Sequence, residues 1–201
     1  MYAASRMPLG FLAGTTLFDV LSDRSSSRIL RVAVVVAATA ATAMAAQFSI
    51  PFHPIPFTLQ PMVVLLAAAA LGSRLGAYAQ VVYLIAGIAG LPVFAASPTL
   101  PAGFARLLGP TGGFLLAYPA AAWLTGMLAE RRFDRRYFTS FLAMLAGLVV
   151  VYAGGVAGLS ATLGTEAALG AATPFAVADL LKLVLAAGVL PSVWQLVART
   201  R

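Results

Sequence analysis

The segment that decides the fold is Thr173–Pro191, TPFAVADLLKLVLAAGVLP, an apolar run that carries one acidic and one basic residue. Asp179 and Lys182 are three residues apart, and on a helix such neighbours lie roughly 5–6 Å apart on one face. A charged side chain at the centre of a spanning helix costs roughly 2.5–3.5 kcal/mol, so such residues usually face the protein interior. The segment therefore predicts a membrane helix with an inward-facing charged pair, either a structural ion pair or part of a polar ligand site.

The composition supports a membrane protein. The chain has 201 residues, of which 61% are hydrophobic and 9% are charged, and Lys182 is its only lysine. It has no cysteine and one histidine, which argues against disulfides, thiolate chemistry and a histidine-rich metal site. The net charge of +7 comes from arginines beside apolar segments, which favours membrane topology over nucleic-acid binding. We expect no metal, no cofactor and no nucleic-acid partner.

The apolar segments predict an all-α integral membrane protein with six transmembrane helices. Residues 1–28 are interpreted as a cytoplasmic N-terminal tail, and residues 29–201 as a six-helix membrane substrate-binding domain. The predicted spans are about Ile29–Phe48, Met62–Leu71, Leu75–Leu91, Phe114–Leu128, Thr139–Leu159 and Phe175–Ala198.

The arginines predict the orientation. Six spans place both tails and the second and fourth loops on one side, which holds every arginine except Arg106. Because positive charge marks the cytoplasmic side, both termini are predicted to be cytoplasmic, in the bacterial inner membrane. The last span then runs from outside to inside, with Asp179 and Lys182 in its outer half. Lys182 is expected about 10 Å below the start of that span.

Two unusual loops lie on the predicted outer side with this pair. The first, SIPFHPIPFTLQP (residues 49–61), is rich in proline and apolar, so it should be stiff and fold into the protein. The second contains GPTGG (residues 109–113), whose glycines permit close backbone approach. In the third span, Gln80 and Tyr83 share one face and should point inward. These features predict an outward-facing pocket for a small molecule.

A stripe of alanines repeats every fourth residue in the first span, at Ala33, Ala37, Ala41 and Ala45. Small residues at this spacing allow close helix approach. The stripe is either ordinary internal packing or a docking face for another membrane subunit.

Taken together, PFTLQ, YLIAGIAGLPVF, GPTGGFL and DLLK, in this order and spacing, resemble the biotin-specific S components (BioY family) of energy-coupling factor transporters. The resemblance covers roughly residue 29 to the C-terminus. It implies an S-component-like helix bundle that binds biotin from outside, with a transmembrane coupling (T) subunit and cytoplasmic ATPases as partners. It favours the docking interpretation of the alanine stripe. It also implies that Asp179 and Lys182 hold the ureido ring.

The chemistry of biotin suggests roles for the remaining candidates. A carboxylate accepts from ureido N–H groups and an ammonium donates to the ureido carbonyl. Apolar and aromatic walls for the thiophane ring and valeryl chain are predicted from Phe57, Tyr83 and Tyr152. Donors to the biotin carboxylate are sought among Thr58, Gln60, Arg106 and the GPTGG segment (Gly109, Thr111, Gly112, Gly113). Gln80 is a further candidate for the substrate site, whereas Tyr118 is interpreted as a membrane-interface aromatic.

One position departs from the family pattern. Span 5 of the family often reads Y-x-x-G-x-x-W-L, and here Tyr152 and Gly155 match while Gly158 replaces the tryptophan. We expect any stacking from that position to be lost and the pocket to be roomier.

Other functions fit the sequence less well. An intramembrane enzyme lacks a second carboxylate in the spans and a Ser/His or HExxH motif. The single lysine in the last span also suggests a retinal-type photoreceptor, but such a protein would have a seventh span. The remaining alternatives are a solitary biotin transporter that acts without the ATPase module, and an S component for a different small vitamin.

Overall fold

The computed structural model describes residues 16–22, 27–50, 52, 54–97 and 100–200. These residues form an all-helical protein with one small antiparallel sheet, in which strand β1 (Ser49–Ile50) pairs with β2 (Phe57–Thr58). The α-helices of the described ranges are α1 (Leu17–Leu21), α2 (Arg28–Gln47), α3 (Gln60–Leu71), α4 (Ser73–Ile88), α5 (Gly112–Glu130), α6 (Tyr137–Leu163), α7 (Thr165–Ala186) and α8 (Val189–Thr200).

Four helical segments are long and apolar enough to cross a membrane, so the chain is a multi-pass membrane protein. They are Arg28–Gln47, Gly112–Glu130, Tyr137–Leu163 and Thr165–Arg199, while α3 is a shorter apolar helix. Helices α2 to α6 begin and end within a few residues of the first five predicted spans. The apolar runs therefore located these helices well.

The predicted start of the last span was wrong. The helix does not begin at Phe175 but at Thr165, directly after Gly164, which has a φ of +83°. Glu166 lies in its first turn, where a negative charge is favourable beside the helix dipole. Pro174 lies inside α7 and does not end it, and the Thr173 hydroxyl donates to the carbonyl oxygen of Leu169 at 2.7 Å. Helices in membranes tolerate such a proline because nearby groups satisfy the freed backbone.

This longer helix changes the depth of the charged pair. Lys182 is 17 residues from the start of α7, about 25 Å along the axis at 1.5 Å per residue and not the expected 10 Å. The Tyr137 hydroxyl, at the start of α6, donates to the carbonyl oxygen of Val184 at 2.8 Å. The pair therefore lies deep in the bundle, toward the end of α7 that faces the start of α6.

Glycines allow the central helices to approach closely. Helices α5 and α6 share the most extensive helix–helix contact, and Gly113 faces the backbones of Gly154 and Gly158 there. At the arginine-rich end, Gly126 of α5 packs on the backbone of Gly72 and Ser73, between α3 and α4. Because any side chain at these positions would meet backbone, the glycines fix the crossings that position the pocket.

An apolar cluster closes the arginine-rich end of the bundle, where Arg74 lies in the first turn of α4 and Arg131 follows α5. Leu17 and Val20 of α1 pack with Ala69, Leu190 and Trp194. The predicted tail, residues 1–28, falls largely outside the described ranges, which omit residues 1–15 and 23–26; its division from the membrane domain stays a prediction.

The loop between α5 and α6 holds α8 in place through a buried carboxylate. Asp134 accepts hydrogen bonds from Trp194 Nε1 at 2.6 Å and from Arg135 Nε at 3.2 Å. The Arg135 guanidinium lies 3.2 Å from the centre of the Trp194 ring. Burial raises the pKa of the Asp134 carboxyl above its usual range, against the opposing effect of these two partners.

The alanine stripe of α2 does not share one environment. Ala33 and Ala37 are exposed and Ala41 is half-buried, whereas Ala45 is buried within the protein. The predicted docking stripe therefore needs correction at Ala45, because α2 turns that residue toward its neighbours in the bundle.

Candidate functional site

A pocket opens between the β1–β2 hairpin, helices α5, α6 and α7, and the loop that precedes α5. The cavity itself has a volume of about 60 Å³, and the space reaches about 550 Å³ when the part open to solvent is counted. Its lining residues are Ile55, Pro56, Phe57, Thr58, Gln60, Pro61, Phe94, Ala95, Arg106, Thr111, Phe114, Leu115, Tyr118, Tyr152, Phe175 and Asp179.

One end of the pocket is built around the Asp179 carboxylate, which is buried. Its Oδ1 accepts a 2.7 Å hydrogen bond from Lys182 Nζ, and its Oδ2 accepts a 2.7 Å bond from the Tyr152 hydroxyl. Because each carboxylate oxygen can accept two hydrogen bonds, both oxygens retain acceptor capacity. The arrangement can receive two N–H donors from a ligand.

Lys182 lies behind this carboxylate and ties it to the hairpin. Its ammonium donates to the carbonyl oxygen of Thr58 at 2.7 Å and lies 3.6 Å from the centre of the Phe57 ring. Lys182 does not itself line the pocket. Two of its three N–H groups are thus committed to Asp179 and Thr58, and the Phe57 ring covers the ammonium.

The other charged residue in the lining is Arg106, in the short 3-10 helix Gly103–Leu108. Its guanidinium donates to the carbonyl oxygens of Ala95 at 2.5 Å and Pro101 at 3.4 Å, while its buried Nε has no partner among the described residues. No acidic side chain of the described residues pairs with it. Burial lowers the pKa of Arg106 from its usual value.

Thr111 adds a second unsatisfied group to the same pocket. Its buried hydroxyl has no hydrogen-bond partner among the described residues. A buried polar group left unpaired costs about 1–3 kcal/mol, so two such donors in one pocket suggest a polar ligand group. A guanidinium and a hydroxyl together suit a carboxylate.

A stripe of α5 connects the two ends. Thr111, which caps the helix, and Phe114, Leu115 and Tyr118 follow the i, i+3, i+4, i+7 spacing of one helix face, and all four line the pocket. From Thr111 to Tyr118 the stripe spans about 10 Å. The Phe114 ring packs edge-on against Tyr152, with centroids 5.6 Å apart, and sits over Gly155.

The structure brings about half of the predicted site residues to the pocket. Those that line it are Phe57, Thr58, Gln60, Arg106, Thr111, Tyr152 and Asp179, with Lys182 directly behind. Tyr83 stands behind Gln60, accepting from its Nε2 at 2.6 Å and donating to the carbonyl oxygen of Val93 at 3.1 Å.

Gln80 is not brought to the pocket. Its Nε2 donates to the Thr42 hydroxyl of α2 at 3.2 Å. The inward orientation expected from its spacing is confirmed, since the side chain is buried. The hydrogen bond to Thr42, however, joins α4 to α2 and contributes to helix packing.

The GPTGG segment contributes to packing more than to the lining. Gly112 lies against the carbonyl group of Leu107, Gly113 faces the backbone of α6, and the Gly109 N–H bonds back to the carbonyl oxygen of Arg106 at 3.3 Å. None of these three glycines lines the pocket. The sequence correctly predicted that these glycines allow a close backbone approach, but the group that approaches them is the protein's own backbone and not a ligand.

The expectation that Gly158 enlarges the pocket was wrong. A Cβ at this position would lie 2.8 Å from the Cα of Gly113 and 3.0 Å from its nitrogen. The space that a larger side chain would need is therefore filled by α5, and Gly158 does not line the pocket.

Sequence reasoning missed several wall residues, chiefly Phe94, Phe114, Phe175 and Tyr118. Tyr118 was interpreted as an interface aromatic, but its side chain is 3% exposed and lines the pocket. The signal that could have found it is the helical spacing from Thr111 through Phe114 and Leu115.

Comparison with known proteins agrees with this architecture. The biotin transporter BioY of Thermotoga maritima is 40% identical over 152 residues, covering 74% of this chain and 86% of that protein. The probable biotin transporter BioY of Pyrococcus horikoshii is 38% identical over 152 residues, covering 75% and 88%. The fold matches the crystal structure of the S-component for biotin from an ECF-type ABC transporter, with a TM-score of 0.72, 23% identity, and coverage of 84% of this chain and 92% of that one. The family model of the BioY family matches residues 15–199, and the chain belongs to that family.

Proposed function

We propose that this protein is the substrate-binding S component of an ECF-type transporter, which captures biotin for uptake and is not an enzyme. The observation that carries the proposal is one pocket that has Asp179 and Tyr152 at one end, with Lys182 behind them, and Arg106 and Thr111 at the other end. Relatives named as biotin transporters and the matching S-component fold support it.

The Asp179 end suits the ureido ring. Two ureido N–H groups donate to the free acceptor positions of the carboxylate, and these bonds are charge-assisted. Lys182 stabilises the charge and orientation of Asp179 through the bond to Oδ1, and Tyr152 does the same at Oδ2. Displacing the Phe57 ring would let the third Lys182 N–H reach the ureido carbonyl oxygen.

The Arg106 end suits the biotin carboxylate. The guanidinium has no acidic partner among the described residues, and a ligand carboxylate would supply one. Among the residues that the structure describes, the Nε of Arg106 and the hydroxyl of Thr111 are buried donors without a hydrogen-bond partner at this end. Of the donors predicted from the sequence, only these two have a buried atom with no hydrogen-bond partner among the described residues, so we assign the carboxylate to them.

The region of the pocket between the two ends suits the rest of biotin, which is its thiophane ring and valeryl chain. The α5 stripe separates them by about 10 Å and presents Phe114 and Leu115 between the polar groups. Phe175, which packs 6.2 Å from Phe57 centroid to centroid, completes an aromatic wall. An aliphatic chain and a thioether ring prefer such surroundings.

We further propose six crossings, with both termini in the cytoplasm of the bacterial inner membrane, and docking to a T subunit and ATPases. The exposed residues Ala33 and Ala37 of α2 are assigned to that docking surface.

Because the chain has no cysteine, single cysteines can test the topology. Leu108→Cys should be labelled by an impermeant maleimide in intact cells, and Arg136→Cys only after permeabilisation; the reverse pattern would refute the orientation.

The central experiment is equilibrium binding of biotin to the purified, monodisperse protein in detergent, without partners. We expect tight binding with a stoichiometry near one. Asp179→Asn/Lys182→Met is the matched control, because it removes both charges together and leaves neither charge unpaired. Absence of binding to the folded wild type, or unchanged binding by the folded double variant, would refute the assignment.

A further inference from the structure

The Tyr118 side chain is a polar wall residue of the pocket to which the proposed chemistry gives no role. It lies on α5 one turn beyond Phe114 and Leu115, at the end of the stripe opposite Thr111. Only 3% of it is exposed, and it lines the pocket together with Tyr152 and Asp179. A tyrosine buried to this extent normally has a partner for its hydroxyl.

The protein does not supply that partner among the described residues. The neighbouring polar side chains bond to other groups and not to Tyr118: Tyr152 donates to Asp179, Gln60 donates to Tyr83, and Tyr83 donates to the carbonyl oxygen of Val93. None of the hydrogen bonds among the described residues involves the Tyr118 hydroxyl, although Tyr118 and Asp179 line the same pocket. Its hydroxyl is therefore available to a ligand at the Asp179 end.

The donor balance at this end indicates what the hydroxyl binds. A ureido group presents two N–H donors, which Asp179 can accept, and one carbonyl oxygen with two lone pairs. Lys182 has two N–H groups committed to Asp179 and Thr58, and Phe57 covers its ammonium. The Tyr152 hydroxyl proton is committed to Asp179. Lys182 reaches the ureido carbonyl only if the Phe57 ring is displaced, so at least one of the two lone pairs needs a donor from another residue.

We infer that Tyr118 is a ligand-contacting, specificity-determining residue whose hydroxyl donates a hydrogen bond to the ureido carbonyl oxygen of bound biotin. The inference rests on the proposed function of this pocket. It divides recognition of the ureido ring between two helices: α7 accepts from the N–H groups through Asp179, and α5 donates to the carbonyl through Tyr118.

The test compares Tyr118→Phe, which removes only the hydroxyl, with the wild type and with Tyr78→Phe. Tyr78 lies on the exposed face of α4, with 59% of its surface accessible, and is a matched control. Biotin affinity should fall about tenfold in Tyr118→Phe and stay unchanged in Tyr78→Phe. Should Tyr118→Phe not remain monodisperse, Tyr118→Met takes its place with the same expectation.

An infrared measurement separates contact from structural support. Biotin labelled with ¹³C at the ureido carbonyl gives an isotope-shifted stretching band, and each hydrogen bond to that oxygen lowers its frequency. The band of bound biotin should move to higher frequency in Tyr118→Phe and not in Tyr78→Phe. An unchanged affinity, or a lower affinity with an unmoved band, would overturn the inference while leaving the proposed function intact. Failure of the wild type to bind biotin would instead overturn both.

Discussion

Lys182 donates a 2.7 Å hydrogen bond to the backbone carbonyl oxygen of Thr58, which lies 124 residues earlier in the chain. The bond joins the last long helix to the β1–β2 hairpin at the pocket. The same ammonium pairs with Asp179, so one side chain connects the hairpin with the carboxylate that we assign to the ligand. The position of the hairpin and the geometry of the site therefore depend on each other.

The first prediction concerns Asp179→Asn. The variant should lose at least tenfold in biotin affinity, because hydrogen bonds to a charged group contribute about 1.5–3 kcal/mol and the amide presents fewer acceptors. It also leaves the Lys182 ammonium in the bundle without its anion, so thermal stability should fall. Titration calorimetry and thermal unfolding in detergent measure the two effects.

The double variant Asp179→Asn/Lys182→Met separates the effect on biotin affinity from the effect on stability. It should recover much of the lost stability, since no unpaired charge remains, while its biotin affinity stays low. Recovery of affinity together with stability would show that the pair acts only in packing.

The second prediction concerns Arg106. Arg106→Met should weaken binding of biotin by tenfold or more, because a buried guanidinium bound to a carboxylate contributes charge-assisted hydrogen bonds. Binding of biotin methyl ester, which has no anionic oxygen, should change far less. An equal loss for acid and ester would assign Arg106 to support of the loop through Ala95 and Pro101.

Much of this architecture follows from the sequence, and the reasons for the misses are physical. Long apolar runs located α2 to α6, because membrane helices need them. The start of α7 was missed because Pro174 and the glycines before it are typical of a loop in water, whereas a membrane helix accommodates them. Asp179, Arg106 and Thr58 were found because polar groups beside an apolar core are conspicuous.

Aromatic wall residues are harder to predict. Phe114 and Phe175 lie within apolar helices, where a lipid-facing and a pocket-facing aromatic look alike until the rotation of the helix is known. Gly158 shows the same limit: the sequence shows the missing side chain but not the neighbouring backbone of Gly113 that occupies its space.

The third prediction uses that backbone contact. Gly158→Ala should destabilise the protein by about 1–3 kcal/mol, because its Cβ would press on the Gly113 backbone, which cannot move without shifting α5. Gly170→Ala is the matched control on α7, where the added Cβ would meet no other described part of the protein within 4 Å, its own stretch of helix aside. That variant should be stabilised by about 0.5–1 kcal/mol through helix propensity.

Thermal unfolding in the same detergent compares the two alanine variants. Equal shifts for Gly158→Ala and Gly170→Ala would show that the α5–α6 crossing tolerates a side chain. A side chain at position 158 could then change the size of the pocket.

The fourth prediction concerns docking. Ala37→Trp should leave biotin binding by the isolated protein unchanged, since Ala37 is exposed and is not among the residues that line the pocket. It should abolish co-purification with the T subunit, because a large side chain prevents close helix approach. Val177→Trp, on an exposed face of α7, is the control and should retain the complex. Retention of the complex by Ala37→Trp would assign the docking surface to another helix.

The last prediction is a pH dependence at the arginine-rich end. Burial raises the pKa of Asp134 above its unfolded value, so its ionisation costs folding free energy at neutral pH. As the pH falls through the raised folded pKa toward the unfolded one, the folded state takes up the proton first and this cost disappears. Relative to Asp134→Asn, which carries no charge and keeps an acceptor for Trp194, the wild type should therefore gain stability on acidification from about pH 7 to about pH 4. The difference in melting temperature between the two proteins, measured across that pH range, gives the sign of this pH dependence directly. A wild type that loses stability relative to Asp134→Asn on acidification would mean that the bonds from Trp194 and Arg135 stabilise the carboxylate by more than burial destabilises it.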